Sequence, residues 1–254
     1  MVLVAIIIAG MILATIAVAA LVLAPRVAPQ TLVYDVRPDT PPPFGYRMTW
    51  LAIRTRDTAR VIDALEISKV ETANWNTGLG TVYSKKHGQG ALFVSPPVNG
   101  WTLVAGLALP QVLGHGFADK AMPLLVDLGA TFIEVQYFSS CPDVDYFAWA
   151  RVVDGKLVRA FAIGDEGILW NRGKPTKEEK AMGLRLFEVR GTRGKRGNLA
   201  DEAVIYPTEP HVMRLASKWS LDPTRIDQLG APPSVGKIGM APAAWRPERL
   251  RRAA

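Results

Sequence analysis

Ser139-Ser140-Cys141, followed by Asp143 and Asp145, is the run whose residue types come closest to chemistry. A hydroxyl or thiol at the end of a predicted strand becomes a nucleophile when a neighbouring base takes its proton, and His115 or His211 could serve as that base. The set is incomplete. No G-x-S-x-G elbow occurs, and the acidic neighbours of Cys141 oppose the thiolate that a reactive cysteine requires. Asp143 with Asp145, and Asp165 with Glu166, could share a proton or a divalent ion. Both pairs fall in stretches that read as turns, where Asp is favoured for its own backbone hydrogen bonds. Cys141 is the single cysteine, and His87, His115 and His211 contain no pair at i, i+3 or i+4. This spacing argues against a Cys- or His-based metal site, and no cofactor is expected.

Binding residues are the alternative. Gly191-Thr192-Arg193-Gly194-Lys195-Arg196-Gly197 carries the glycines and cations that anions favour, but it lacks Walker spacing and a flanking strand and helix. Arg190, Arg193, Lys195 and Arg196 are therefore read as a basic surface loop suited to lipid headgroups. Trp50, Trp101, Trp149, Trp170 and Trp219 lie on predicted strands or a helix face and are expected in the core. Trp75, between Asn74 and Asn76, is expected to be exposed, so Asn74, Trp75 and Asn76 form the candidate contact for a ligand or protein partner. Trp149, Arg151, Arg159 and Phe161 come nearest to an RNA-binding sheet face, yet no RNP-like pattern occurs, and nucleic acid is not the expected partner.

These residues must be positioned by the elements around them. Met48–Arg54 reads as a strand and Thr58–Leu65 as a short helix. Residues 68–83 read as an irregular loop with some extended structure. Ala91–Leu109 is a hairpin about Asn99-Gly100, a pair that tolerates the positive φ angles of a tight turn. A helix over 117–129, with Pro123 in its first turn, precedes a strand over 132–138. The resulting order, strand-helix-strand-strand-helix-strand, is the ferredoxin-like split βαβ arrangement with an antiparallel sheet. A second hairpin about Asp154-Gly155 extends that sheet, and residues 167–170 can add a further strand. Thr176 and Glu179 stand at capping-box spacing. Thr208 precedes a last helix, 209–219, whose buried side is Val212, Leu215, Ala216 and Trp219. The fold class is α+β, with the globular domain over 46–229.

The two ends differ from this domain. Residues 1–24 contain no charged side chain. As a helix they would be about 36 Å long, against ~30 Å of bilayer hydrocarbon, and they read as a single transmembrane helix. A cleavable signal peptide fits less well, because no Lys or Arg precedes the run and the run is long. Residues 25–45, with Pro25, Pro29, Pro38 and Pro41-Pro42-Pro43, read as an extended tether. Residues 230–254 read as a disordered basic tail. The net charge of +7 suits contact with anionic lipid. Arg26, Arg37 and Arg47 lie C-terminal to the apolar run, which favours a cytoplasmic domain on a bacterial inner membrane.

Trp101-Thr102-Leu103-Val104-Ala105-Gly106, Glu134-Val135-Gln136-Tyr137-Phe138, Tyr146-Phe147-Ala148-Trp149-Ala150-Arg151 and Asp154-Gly155-Lys156-Leu157-Val158-Arg159-Ala160-Phe161 resemble a group of uncharacterised bacterial proteins, over roughly residues 48–225. The resemblance implies a bacterial origin and a shared fold. It carries no activity and no site residues. The expectation is a membrane-anchored, non-enzymatic binding protein, of the inhibitor or immunity kind. The rival is a tethered hydrolase using the 139–145 loop.

Overall fold

Trp50 and Ala52 point to one side of strand β1 (Thr49–Ile53), and Leu51 and Ile53 point to the other, yet all are buried. A strand buried on both faces belongs at the centre of a covered sheet. The computed structural model describes residues 10–15, 33–112, 118–165, 167–184 and 206–245. In it β1 is the fifth strand of a nine-stranded sheet in the order β2-β9-β3-β4-β1-β5-β6-β7-β8, with every neighbouring pair antiparallel. The fold is mixed α+β.

The other strands are β2 (Ser68–Asn74), β3 (Ala91–Val94), β4 (Thr102–Ala105), β5 (Glu134–Cys141), β6 (Tyr146–Val153), β7 (Lys156–Gly164), β8 (Gly167–Arg172) and β9 (Val235–Met240). The four strands expected around residues 48–54, 92–94, 101–106 and 132–138 lie side by side as β3-β4-β1-β5. Between the first helix and β3 the chain also forms β2 and a second helix, which the expected order did not contain. Both hairpin turns use the expected residues at positive φ: Asn99 and Gly100 between β3 and β4, and Asp154 and Gly155 between β6 and β7.

Helices cover both faces. On one side α1 (Thr58–Ala64) and α3 (Ala121–Thr131) bury Val61, Leu124, Leu125 and Leu128 against Leu51, Ile53, Val104 and Val135. On the other side α2 (Trp75–Tyr83) and α5 (Glu209–Trp219) bury Trp75, Leu79, Val82, Val212, Leu215 and Trp219 against Trp50, Phe93, Phe138 and Trp149. The short α4 (Lys177–Ala181) is joined to this second side through buried Glu179.

Three sequence expectations are corrected. Residues 68–83 are a strand and a helix rather than an irregular loop. Gly78, Gly80 and Asn76 give the segment little helix propensity, and the apolar side chains of Trp75, Leu79 and Val82 fix the helix by burial. The tail does not become disordered at residue 230, because β9 is inserted between β2 and β3. Its glycines allow close approach: a Cβ at Gly236 would lie 2.6 Å from the Val94 carbonyl oxygen, and one at Gly239 would lie 2.5 Å from Ile67. The folded unit also starts at Tyr34 rather than Tyr46. Residues 34–45 lie along it: the Asp35 carbonyl accepts from the Asn74 amide at 2.7 Å, Asp39 bridges Ser234, and Phe44 is buried with its amide on the Pro223 carbonyl at 3.0 Å.

Residues 1–33 form a separate unit. Residues 10–15 are helical, and the Thr15 hydroxyl donates to the Met11 carbonyl at 2.6 Å. No helix among the described residues is long and apolar enough to cross a membrane. The transmembrane helix expected over 1–24 lies mostly outside them, as do the 185–200 basic loop and the last nine residues of the tail.

Candidate binding surface

Among the described residues, which do not include His115, the strand end at Ser139-Ser140-Cys141 does not assemble a nucleophile and base. The buried Ser139 hydroxyl pairs with that of Thr49 at 2.7 Å. Ser140 Oγ donates to Glu209 Oε1 at 2.6 Å, and the same carboxylate oxygen accepts from the Arg47 amide at 2.8 Å. Asp143 is ion-paired with Arg47 at 2.8 Å, on the surface. His211 Nδ1 lies 3.2 Å from the Thr208 amide and 2.8 Å from its hydroxyl, which closes the capping box of α5. Burial, with Arg214 nearby, pushes the pKa of His211 down. Neither Ser140 nor Cys141 hydrogen-bonds a histidine among the described residues, and no three His, Cys, Asp or Glu side chains there could hold a metal ion.

Asn74, Trp75 and Asn76 are brought together, but not as an open contact site. Trp75 was expected to be exposed and is 0 % exposed, with its ring 5.4 Å from that of Phe93. Asn74 caps α2, its Oδ1 accepting from the Thr77 amide at 2.9 Å. The first amide donors of that helix meet Asp39, which accepts from Trp75 N at 2.7 Å and from Asn76 N at 3.0 Å. The Trp75 indole donates to Ser234 Oγ. The Asn-Trp-Asn pattern is a helix start sealed by residues 34–45 and the segment before β9. Only Asn76 stays exposed.

The more open surface lies on α5. Its inner stripe, Val212, Leu215, Ala216 and Trp219, is buried, and its outer stripe presents Arg214, Ser217 and Lys218. Arg214 and Lys218 are one helical turn apart, so their side chains are neighbours. A groove runs along each side. One, of about 400 Å³, lies between α4 and α5 and is lined by Lys177, Glu178, Ala181, Met182, Arg214 and Lys218. The other, of about 410 Å³, is lined by Tyr46, Pro210, Met213, Ser217, Asp222, Thr224 and Arg225, again with Arg214 and Lys218.

Polar contacts hold the helices that carry these grooves. At the start of α5, Glu209 takes the Ser140 hydroxyl and the Arg47 amide. At its end, the Trp219 carbonyl accepts from Gln136 Nε2 at 3.0 Å, and Gln136 also donates to Glu134 at 2.8 Å. Beneath α4, Glu179 accepts from Arg159 Nε at 2.8 Å and from the Trp149 indole at 2.9 Å, and both members of the ion pair are fully buried.

The charge of the surface is predominantly positive. Lys177 is 3.8 Å from Glu178. Burial alone would raise the Glu178 carboxyl, but its own amide, the Thr176 hydroxyl and Lys177 outweigh that and lower it, so it stays ionised. Asp222 is engaged by the Thr224 amide and hydroxyl at 2.9 and 2.6 Å. Arg214, Lys218 and Arg225 have no ion-pair partner among the described residues. No protein-family model matches the chain, and neither does a curated protein or a solved structure.

None of these groove residues was a sequence candidate. The 3.6-residue spacing that marked Val212, Leu215 and Trp219 as buried also placed Pro210, Arg214 and Lys218 on one outward stripe. That α4 would stand beside it, leaving a groove, depends on the long-range contact from Arg159 to Glu179.

Proposed function

We propose that this chain is a non-enzymatic binding module held at a bilayer by residues 1–24, and that it engages its ligand through the outer face of α5. The observation that carries the reading is the pair Arg214 and Lys218, shared by two grooves on a helix pinned at both ends. The hydrolase alternative has less support. Its hydroxyls are committed to Thr49 and Glu209, and a carboxylate accepting from Ser140 without a histidine lacks the usual activating arrangement.

Two measurements test the proposal on the full chain. Alkaline carbonate extraction of membranes should leave the protein in the pellet, and release into the supernatant would remove the anchor. A photo-crosslinking residue placed at Ser217, which is exposed between the cations, should give an adduct in cells that R214Q/K218Q loses. No adduct, or one indifferent to that double change, would refute α5 as the contact face. The expected setting is the inner membrane of a bacterium, with the domain on the cytoplasmic side.

A further inference from the structure

Two grooves sharing a cationic ridge call for an anionic ligand, and the make-up of the first narrows its chemistry. Its charged groups are Lys177, Arg214 and Lys218, with Glu178 among them, and its apolar lining is Ala181 and Met182 beside the aliphatic stems of the long side chains. A small hydrophilic anion would leave that apolar lining wet. An amphiphile, with phosphate at the cations and glycerol and the first methylenes on the apolar lining, covers both.

Resting on the binding-module reading above, we propose that the α5 face docks on an anionic phospholipid leaflet, with Arg214 and Lys218 taking the headgroup phosphates. Arg225 and Lys177 widen the positive field to either side. Arg214 supplies the planar fork that matches phosphate oxygens, and Lys218 acts as a mobile point charge. Glu178 and Asp222 keep their charge, and the four cations against these two carboxylates leave the paired grooves with a net charge of +2.

Chain length selects lipid over a free solute. The folded unit begins at Tyr34, and the Asp35 carbonyl after it accepts from the Asn74 amide at the end of β2. Only residues 25–33 then separate the folded unit from the apolar run, and nine residues reach at most about 30 Å. A basic face on so short a lead meets headgroups at high effective concentration. Each cation near an anionic leaflet strengthens docking about 5-fold, so neutralising two should weaken it roughly 25-fold.

The test uses the full chain in nanodiscs. Cys141 is replaced (C141S), and an environment-sensitive fluorophore is attached at S217C. Discs of phosphatidylcholine alone are compared with discs containing phosphatidylglycerol. The expected result is a blue shift only with phosphatidylglycerol, reversed by high salt, weakened about 25-fold by R214Q/K218Q and unchanged by K156Q in the remote β6–β7 turn. Identical spectra in the two discs, or indifference to R214Q/K218Q, would overturn the proposal. So would the same shift in phosphatidylcholine discs on adding inorganic phosphate, which would make the occupant a free anion. A shift there on adding an acidic polypeptide would likewise make it a protein. If the discs show no difference while the residue-217 adduct persists, lipid docking fails and the binding module stands.

Discussion

Replacing Glu179 by alanine is the most direct challenge to the way the α5 surface is held. Glu179 and Arg159 are both 0 % exposed. The carboxylate accepts from Arg159 Nε at 2.8 and 3.0 Å, from the Trp149 indole at 2.9 Å and from the Thr176 amide at 2.7 Å. E179A leaves a buried guanidinium without its counter-charge and removes the acceptor of two further donors. Arg159 would keep its Nη1 bonds to the Asn171 side chain and the Arg172 carbonyl, but these oxygens carry no full charge. Removing one member of a buried pair costs ~3–5 kcal/mol, and for a domain of about 200 residues that lowers Tm by ~6–20 °C. Replacing both members with apolar residues, as in R159M/E179M, avoids the stranded charge. It should recover all but ~1–2 kcal/mol, the remainder reflecting the lost capping box of α4. Thermal and urea unfolding of the three full-length proteins, the parent, E179A and R159M/E179M, followed by near-ultraviolet circular dichroism, makes the comparison. A fall in Tm under about 3 °C for E179A, or a double variant no better than E179A, would show that the pair does not hold this region and that its burial has been misread.

Four further outcomes follow from the same reasoning. In α2, Gly78 and Gly80 should respond oppositely to alanine: a Cβ at Gly78 would lie 2.2 Å from the Phe93 ring, whereas one at Gly80 meets nothing within 4 Å. G80A should therefore gain ~0.5–1 kcal/mol and G78A should lose ~1–3 kcal/mol, so equal urea midpoints would contradict the packing of α2. W75A should cost ~3–5 kcal/mol because the indole is buried, and an unchanged Tm would restore Trp75 as an exposed contact residue. S140A should cost ~0.5–1.5 kcal/mol through the lost bond to Glu209, while chromogenic ester turnover that disappears in S140A would revive the hydrolase reading. Burial raises Tyr137 and pushes Tyr146 up to about 12. Folding holds both neutral, so their contribution is intact below pH ~10, where the unfolded chain keeps its phenols protonated, and is lost as pH rises from there toward 12. Urea midpoints that stay flat through that interval would exclude it.

Local pattern carried most of the sheet. Asn99-Gly100 and Asp154-Gly155 specify tight turns by backbone sterics alone, so both hairpins were legible without tertiary knowledge. The Thr176 and Glu179 capping box was legible for the same reason. What was not legible is where burial overrides local preference. Trp75 sits among asparagines, which suggested an exposed loop, but its ring is buried against Phe93, and Asp39, 36 residues earlier, closes the helix start. Gly236 and Gly239 read as loop residues because glycine is usually conformational slack, whereas here they admit a strand into a gap that a Cβ would block.

The binding surface was missed because no short motif encodes it. Lys177, Arg214, Lys218 and Arg225 come from α4, α5 and the 3₁₀ segment Pro223–Leu229, and they converge only when those elements are seated. Their seating depends on polar residues that the sheet presents to the same side: Gln136 and Ser140 on β5, Trp149 on β6 and Arg159 on β7. Such residues are costly to bury unless partnered, and here each directs one polar atom to a helix that carries the surface. Gln136 meets the last turn of α5, Ser140 meets its first, and Trp149 and Arg159 meet α4. The buried polar set and the exposed basic set are thus two sides of one arrangement. Perturbing the first should move the second without touching a single exposed cation.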